Sequence, residues 1–149
     1  MNDLNDLYRE IVMEHNWKPR NFRKLEGATH QGEGFNPLCG DKITLYLDAA
    51  DEVIDDIGFE GSGCAISRAS ASMMTEALKG KTAAEARQIF DAFRQMLTKP
   101  GEKYDADTLG DLEVLSGVSE FPIRIKCATL AWHTLKATLD GEKKAVATE

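Results

Sequence analysis

The sequence predicts an α+β domain in which a small antiparallel sheet, about three strands, packs against helices on one side. Three observations carry this expectation. Ile43, Leu45 and Leu47 alternate with Lys42, Thr44, Tyr46 and Asp48, the period of a half-buried strand. The following run keeps Val53, Ile57 and Phe59 on one face, and the turn between the runs, Ala49 to Glu52, is too short for a parallel crossover, so the pair is an antiparallel hairpin. Apolar stripes at helical spacing lie before and after the hairpin, and an order of helix, strands, then helices belongs to α+β architecture.

The elements follow in order. Residues 3 to about 15 read as a helix, with Asp3 as cap, Asp6 in the first turn, a stripe of Leu4, Leu7, Tyr8, Ile11 and Val12, and Pro19 as the stop. Residues 18–37 carry Pro19, Asn21, Gly27, Gly32, Gly34, Asn36 and Pro37 and read as a long loop, with at most a short strand near Ala28 to His30. After the hairpin, Ile66, Ala69, Ser70, Met73, Met74, Ala77 and Leu78 mark a second helix that stops at Gly80. Thr82-Ala83-Ala84-Glu85 is a capping box opening a third helix, with Ala86, Ile89, Phe90, Phe93 and Leu97 inward and Pro100 and Gly101 closing it. A polar loop over 101–108 leads to a short helix marked by Leu109, Leu112 and Leu115 and ending at Gly117. Pro122 suits the first position of the last helix, whose stripe is Ile123, Cys127, Leu130, Ala131 and Thr134 and whose stop is Gly141. The expected domain is single and spans 1–149, with 143–149 as a frayed tail.

At 42% hydrophobic and 29% charged, the 149 residues suit a globular chain with one sizeable core. No apolar run approaches the ~20 residues of a membrane span. The start, Met1-Asn2-Asp3-Leu4-Asn5-Asp6, is acidic and lacks the apolar segment of a signal peptide, so the expected location is cytoplasmic, with no membrane partner. A net charge of −7 argues against nucleic acid, whose phosphates need a basic face. Three widely spaced cysteines make a poor disulfide framework and point to metal or thiol chemistry.

Those cysteines sit at corners of the predicted fold. Gly61-Ser62-Gly63-Cys64 joins the second hairpin strand to the second helix, and a helix N-terminus there favours an anion at Cys64. Cys39 lies in Asn36-Pro37-Leu38-Cys39-Gly40-Asp41 just ahead of the first hairpin strand, beside the end of its antiparallel partner. Cys39 and Asp41 are two apart and would point the same way on an extended segment. Cys127, early in the last helix, reaches the same spot if that helix packs under the sheet. Three thiolates and a carboxylate suit tetrahedral zinc, and the same thiolates suit an iron–sulfur cluster. The competing reading is three inert buried cysteines, since free cysteine is among the most buried residue types. Arg124 and Lys126 beside Cys127 are either surface charges or a lure for an anionic sulfur species. His15, His30 and His133 read as structural or solvated, and none neighbours a cysteine in the sequence, which argues against a cysteine–histidine hydrolase.

Six segments together resemble the U-type iron–sulfur cluster assembly proteins, the NifU-like/IscU family, and within it the SufU branch. They are Leu7-Tyr8-Arg9, Pro19-Arg20-Asn21, Asn36 to Asp41, Gly61 to Ser67, Ala69 to Met74 and Phe121 to Ala128. The resemblance runs from about Leu7 to Leu135. It implies a SufE/NifU-like fold, a site made of Cys39, Asp41, Cys64 and Cys127, and a cysteine desulfurase of the SufS type as partner, with further iron–sulfur assembly proteins downstream. There are three departures from IscU proper, of which the last two look like SufU. Lys126 stands where IscU has histidine, the Leu-Pro-Pro-Val-Lys chaperone motif is missing, and the segment between Gly80 and Val118 is longer.

Three functions follow as expectations. The first is a zinc-dependent sulfur acceptor, a sulfurtransferase-like partner of the desulfurase rather than a stand-alone enzyme, with Cys39 taking the persulfide sulfur and Arg124 as an assisting cation. The second is a scaffold on which iron and sulfide form a labile [2Fe–2S] cluster held by the same four residues. The third is a structural zinc domain without transfer chemistry.

Overall fold

The computed structural model describes residues 3–99, 101–141 and 145–147, with side chains from residue 8 onward. The chain begins with helix α1 (Asp3–Trp17), then strands β1 (His30–Asn36), β2 (Asp41–Ala50) and β3 (Val53–Ser62). Helices α2 (Ala65–Leu78), α3 (Ala83–Thr98) and the single turn α4 (Ala106–Leu109) follow. A 3-10 helix over Gly110–Glu120 leads into α5 (Pro122–Leu139), and a short strand β4 (Val146–Ala147) comes last. The expected roles of Asp3, Leu4, Asp6 and Leu7, of Pro100, and of Glu142–Lys144, Thr148 and Glu149 fall outside the described residues and side chains.

The sheet has strand order β3-β2-β1-β4. Four strands replace the three expected, and the fourth is parallel: Val146 and Ala147 pair with Gly34 and Phe35, within the stretch read as tail. The β2–β3 hairpin is antiparallel, placing Leu45 opposite Phe59 and Leu47 opposite Ile57. A register shift between Asp48 and Ala49 changes which residue faces inward at the hairpin's far end. Ile54 is therefore fully buried there, while Val53, expected on that face, is half-buried.

The largest correction is β1. Residues 30–36 form a full strand paired with β2, where a loop was expected. The glycines that suggested a loop are required by packing. A Cβ at Gly32 would collide with Thr138 Oγ1 of α5, and one at Gly34 with Thr134 Oγ1. Helix α5 lies directly on this strand, and Thr134 and Thr138 spend their hydroxyl protons on the helix carbonyls of Leu130 and Thr134. This contact fixes where Cys127 sits relative to β1.

The core lies between the sheet's inner face and α2, α3 and α5. Ile43, Leu45, Leu47, Ile57 and Phe59 meet Met74, Leu78, Phe93, Leu130 and Trp132. Trp132 is fully buried and stacks on Phe93 with centroids 4.9 Å apart. Its indole N–H donates to Ser70 Oγ over 3.1 Å, so the polar edge of the ring is satisfied. The capping box is present as expected: Thr82 Oγ1 accepts from Glu85 N–H, and Glu85 Oε1 accepts from Thr82 N–H, each over 3.0 Å. Two smaller corrections concern helix ends. A helical turn begins at Ala106 inside the expected loop 101–108, and the 3-10 helix passes through Gly117 to Glu120. Pro122 opens α5 as expected, but Ile123 is 58% exposed and does not belong to its buried stripe.

Candidate metal centre

Three elements converge at one end of the sheet. The β1–β2 connection is a tight turn, Pro37 to Gly40, closed by the Asn36–Asp41 pair. Asn36 is fully buried; its backbone carbonyl accepts from Gly40 N–H over 2.8 Å and its side-chain Oδ1 accepts from Leu38 N–H over 3.2 Å. Gly40 adopts φ +75°, the left-handed region that ends the turn. Cys39 thus rides on an exposed turn while Asp41 is fully buried at the strand's first position. They come together through this reversal rather than by the extended alternation expected.

Cys64 is the N-cap of α2, as its place at the strand-to-helix corner implied. Its sulfur accepts from Ser67 N–H over 3.4 Å. Its own N–H donates to Asp41 Oδ1 over 2.9 Å, and Cys64 Sγ lies 3.9 Å from Asp41 Oδ2. Gly63 makes this possible, since a Cβ there would press into the Asp41 carboxylate. Cys127 is buried in the second turn of α5, 3.4 Å sulfur to sulfur from Cys39, and accepts from Asn36 Nδ2 over 3.6 Å.

Ligand atoms of Cys39, Asp41 and Cys127 all lie within 4.8 Å of one another, and Cys64 stands just outside that group, in contact with Asp41. In a tetrahedron with zinc–sulfur bonds of about 2.3 Å and a zinc–oxygen bond of about 2.0 Å, sulfur–sulfur and sulfur–oxygen edges are about 3.8 and 3.5 Å. The 3.4 Å Cys39–Cys127 separation is shorter and the 3.9 Å Cys64–Asp41 separation longer than such edges, so the four donors suit a zinc ion by chemistry, Cys39, Asp41 and Cys127 stand together, and Cys64 would close in to complete a tetrahedron. Burial pushes the Cys127 thiol far above its usual range, helped by its contacts with Cys39 and Asp41. A cation at this point reverses that cost and is the natural counter-charge for a buried carboxylate among thiols. All three cysteines are free of disulfides.

The cysteines line one cavity with Tyr8, Arg9, Val12 and Met13 of α1, Ala65 and Ile66 of α2, and Ile123 and Arg124 of α5. Arg124 is exposed, its guanidinium 4.7 Å from the Phe121 ring centre. Lys126, weighed with Arg124 from the sequence, lines a different cavity, on the far side of α5. Two contributors escaped the sequence reading. Asn36 was noted as a turn former and as part of a family-like segment, without a role at the site, although it braces both the Cys39 turn and Cys127. Tyr8 was noted in a stripe and in another such segment, likewise without a role; its hydroxyl is half-buried, held above its usual range by burial and by Cys64, with Arg124 acting against the shift. His15 is structural, its Nδ1 2.7 Å from Ser72 Oγ.

A four-stranded sheet with helices across it, opening at one end on three thiols and a carboxylate, defines a class of α+β thiol-and-metal domain. Residues 7–138 match the family described as the NifU-like N terminal domain, and the chain belongs to that family. It is 45% identical over 142 residues, 95% of each chain, to the zinc-dependent sulfurtransferase SufU of Bacillus subtilis. It is 42% identical to the iron-sulfur cluster assembly scaffold protein IscU of Streptococcus pyogenes, covering 97% of this chain and 90% of the relative. Among solved structures, a putative iron-sulfur cluster assembly scaffold protein for the SUF system from Fervidobacterium islandicum superposes with a TM-score of 0.84 at 36% identity, covering 91% of this chain and 98% of the other.

Proposed function

We propose that this protein is a zinc-dependent sulfur acceptor in iron–sulfur cluster assembly, taking sulfur from a cysteine desulfurase onto Cys39. The observation that carries the reading is the asymmetry of the four donors. Asp41 and Cys127 are buried in regular elements and Cys64 caps a helix, whereas Cys39 alone sits on an exposed turn. Cys39, Asp41, Cys64 and Cys127 would hold the zinc, which supplies a charge that keeps the thiols deprotonated at neutral pH. The Cys39 thiolate attacks the outer sulfur of a persulfide on the desulfurase. A new S–S bond forms on Cys39 and the bond within the donor persulfide breaks, the donor cysteine leaving as a thiolate. Arg124, which lines the same cavity, would pair with the anionic sulfur as it passes. Asp41, Cys64 and Cys127 would hold the ion while Cys39 acts. The relative from Bacillus subtilis named a zinc-dependent sulfurtransferase supports this reading.

No helix among the described residues is long and apolar enough to cross a membrane, which accords with reaction in the cytoplasm, where the three thiols stay reduced. A scaffold reading draws on the Asp41 carboxylate, a weak ligand suited to a departing [2Fe–2S] cargo, and on the relatives named as scaffolds. One experiment separates them. Protein purified without oxygen is analysed for zinc, iron and labile sulfide, then incubated with desulfurase and cysteine and mapped by mass spectrometry. One zinc per chain with a +32 Da adduct on Cys39 is expected; iron with equimolar sulfide in place of zinc establishes the scaffold instead.

A further inference from the structure

A second cavity, of about 360 Å³, opens between α3, α5 and β4, on the side of α5 away from the cysteines. Its walls follow helical spacing. Lys126, Thr129 and His133 recur at i, i+3 and i+7 on one face of α5, and Arg94 and Thr98 at i, i+4 on the facing side of α3. Ile125 and the strand residues Val146 and Ala147 complete the lining. Its charged members are all basic and, among the described residues, it has no carboxylate, in a chain that carries 25 acidic residues against 18 basic ones.

The hydrogen bonds show what is left over. Thr98 and Thr129, both lining the cavity, spend their hydroxyl protons on the carbonyls of Arg94 and Ile125, at 2.7 and 2.8 Å, so each hydroxyl oxygen is left as an acceptor only. Arg94 forms no ion pair with any described carboxylate. The His133 ring packs edge-on against Phe90 at 5.1 Å and has no hydrogen-bonded partner among the described residues. Burial, then Arg94 and Lys136, lower the proton affinity of His133, as expected of a half-buried imidazole beside two cations.

We infer that this cavity is a binding site for a small phosphate-type oxyanion, gripped by Arg94 and His133. A guanidinium fork and an imidazole supply donors to the anion's oxygens. The threonine oxygens accept from the hydroxyl that hydrogen phosphate carries and sulfate lacks, so phosphate is preferred. The site would have a second consequence. It spans α3 and the turn of α5 that leads into Cys127, so occupancy clamps the helix carrying that thiol. The inference is independent of whether the cysteines hold zinc or a cluster.

The test uses the full chain, loaded with its metal, and inorganic phosphate as the probe. Calorimetric titration at constant ionic strength is expected to show saturable one-to-one binding, weaker for sulfate. Arg94→Gln and His133→Gln should each weaken it about tenfold or more, the scale of one charge-assisted hydrogen bond. Arg94 is exposed, so its replacement leaves the fold intact, and Arg94→Lys should recover part of the affinity. Imidazole resonances provide the site-specific readout: phosphate should raise the titration midpoint of His133, which faces Arg94 and Lys136, and leave His30 unmoved. No saturable binding, unweakened affinity in both glutamine variants, or movement of His30 alone would overturn the assignment.

Discussion

Gly63→Ala tests the arrangement of the candidate centre without removing any donor. A Cβ at Gly63 would lie 2.9 Å from Asp41 Cγ and 3.1 Å from Asp41 Cβ, with the Oδ1 atom closer still. Contact at an ordinary distance requires a shift of about half an ångström at Cγ and about one ångström at Oδ1, and Asp41 is fully buried at the start of β2, where close packing resists the movement. The shift breaks the 2.9 Å bond from Cys64 N–H to Asp41 Oδ1. A hydrogen bond to a charged group contributes about 1.5–3 kcal/mol, so about 2 kcal/mol is expected here. For a chain of this length that is about 4–8 °C in melting temperature. If the carboxylate also leaves the donor set, the same energy is about 30-fold in zinc affinity. The assay is thermal unfolding of metal-free and zinc-loaded protein, with competitive zinc titration against a chromophoric chelator. Gly117→Ala is the control, since a Cβ there meets nothing within 4 Å. A Gly63→Ala protein with unchanged melting temperature and zinc affinity would refute the placement of Asp41 between Gly63 and the thiols.

Other expectations are shorter to state. Cys39→Ser should abolish persulfide formation while losing less zinc than Cys64→Ser or Cys127→Ser, which free-zinc assays and mass mapping will check; a +32 Da adduct on Cys64 or Cys127 with Cys39 unmodified refutes the acceptor. Arg124→Ala should keep its zinc and slow desulfurase turnover several-fold, whereas unchanged turnover reduces Arg124 to a surface charge. Zinc removal by chelation should lower the melting temperature, and zinc affinity should fall as pH drops, because protons compete for the thiolates. His15 has its proton affinity lowered, by burial first and then by Arg20, with Glu76, Glu14 and Asp111 opposing. The unfolded chain therefore binds more protons, so stability should fall as pH drops below about 6.5, the unperturbed histidine value, and level off beneath the folded midpoint. His15→Gln should flatten that slope in denaturant unfolding followed from pH 7.5 to 5; an unchanged slope would assign the loss to other groups.

What the sequence shows depends on whether a signal is local. The capping box at Thr82, the hairpin and the proline start of α5 are written in residues adjacent to where they act, and each stands where it was expected. Cys64 at a helix cap is of the same kind. Strand β1 was not legible because Gly32 and Gly34 are shaped by threonines of α5, far along the chain, and a one-sequence reading sees only their turn-forming character. Strand β4 is two residues long and owes its existence to the edge of β1. Ile123 carries the right spacing for the buried stripe but precedes the turn where α5 meets the sheet. At the site, residue types and corners pointed to four residues, of which the structure groups Cys39, Asp41 and Cys127 and sets Cys64 against Asp41. The turn that swings Cys39 back over Asp41, and the brace from Asn36, needed coordinates.

The donors come from three stretches far apart along the chain, with Asp41 in β2, Cys64 before α2 and Cys127 in α5. During synthesis the first two are made early, while the last emerges only after 126 of the 149 residues have been joined. A nascent chain thus offers incomplete sets of thiols for most of its growth. Full coordination of an ion by all four would wait until α5 has come off the ribosome and settled on β1. An ion held there would link residues 41 and 127, closing a long loop whose freedom the unfolded chain would otherwise regain. Metal capture at this centre would therefore act as a checkpoint on finished folding, one that a chain truncated before Cys127 would fail.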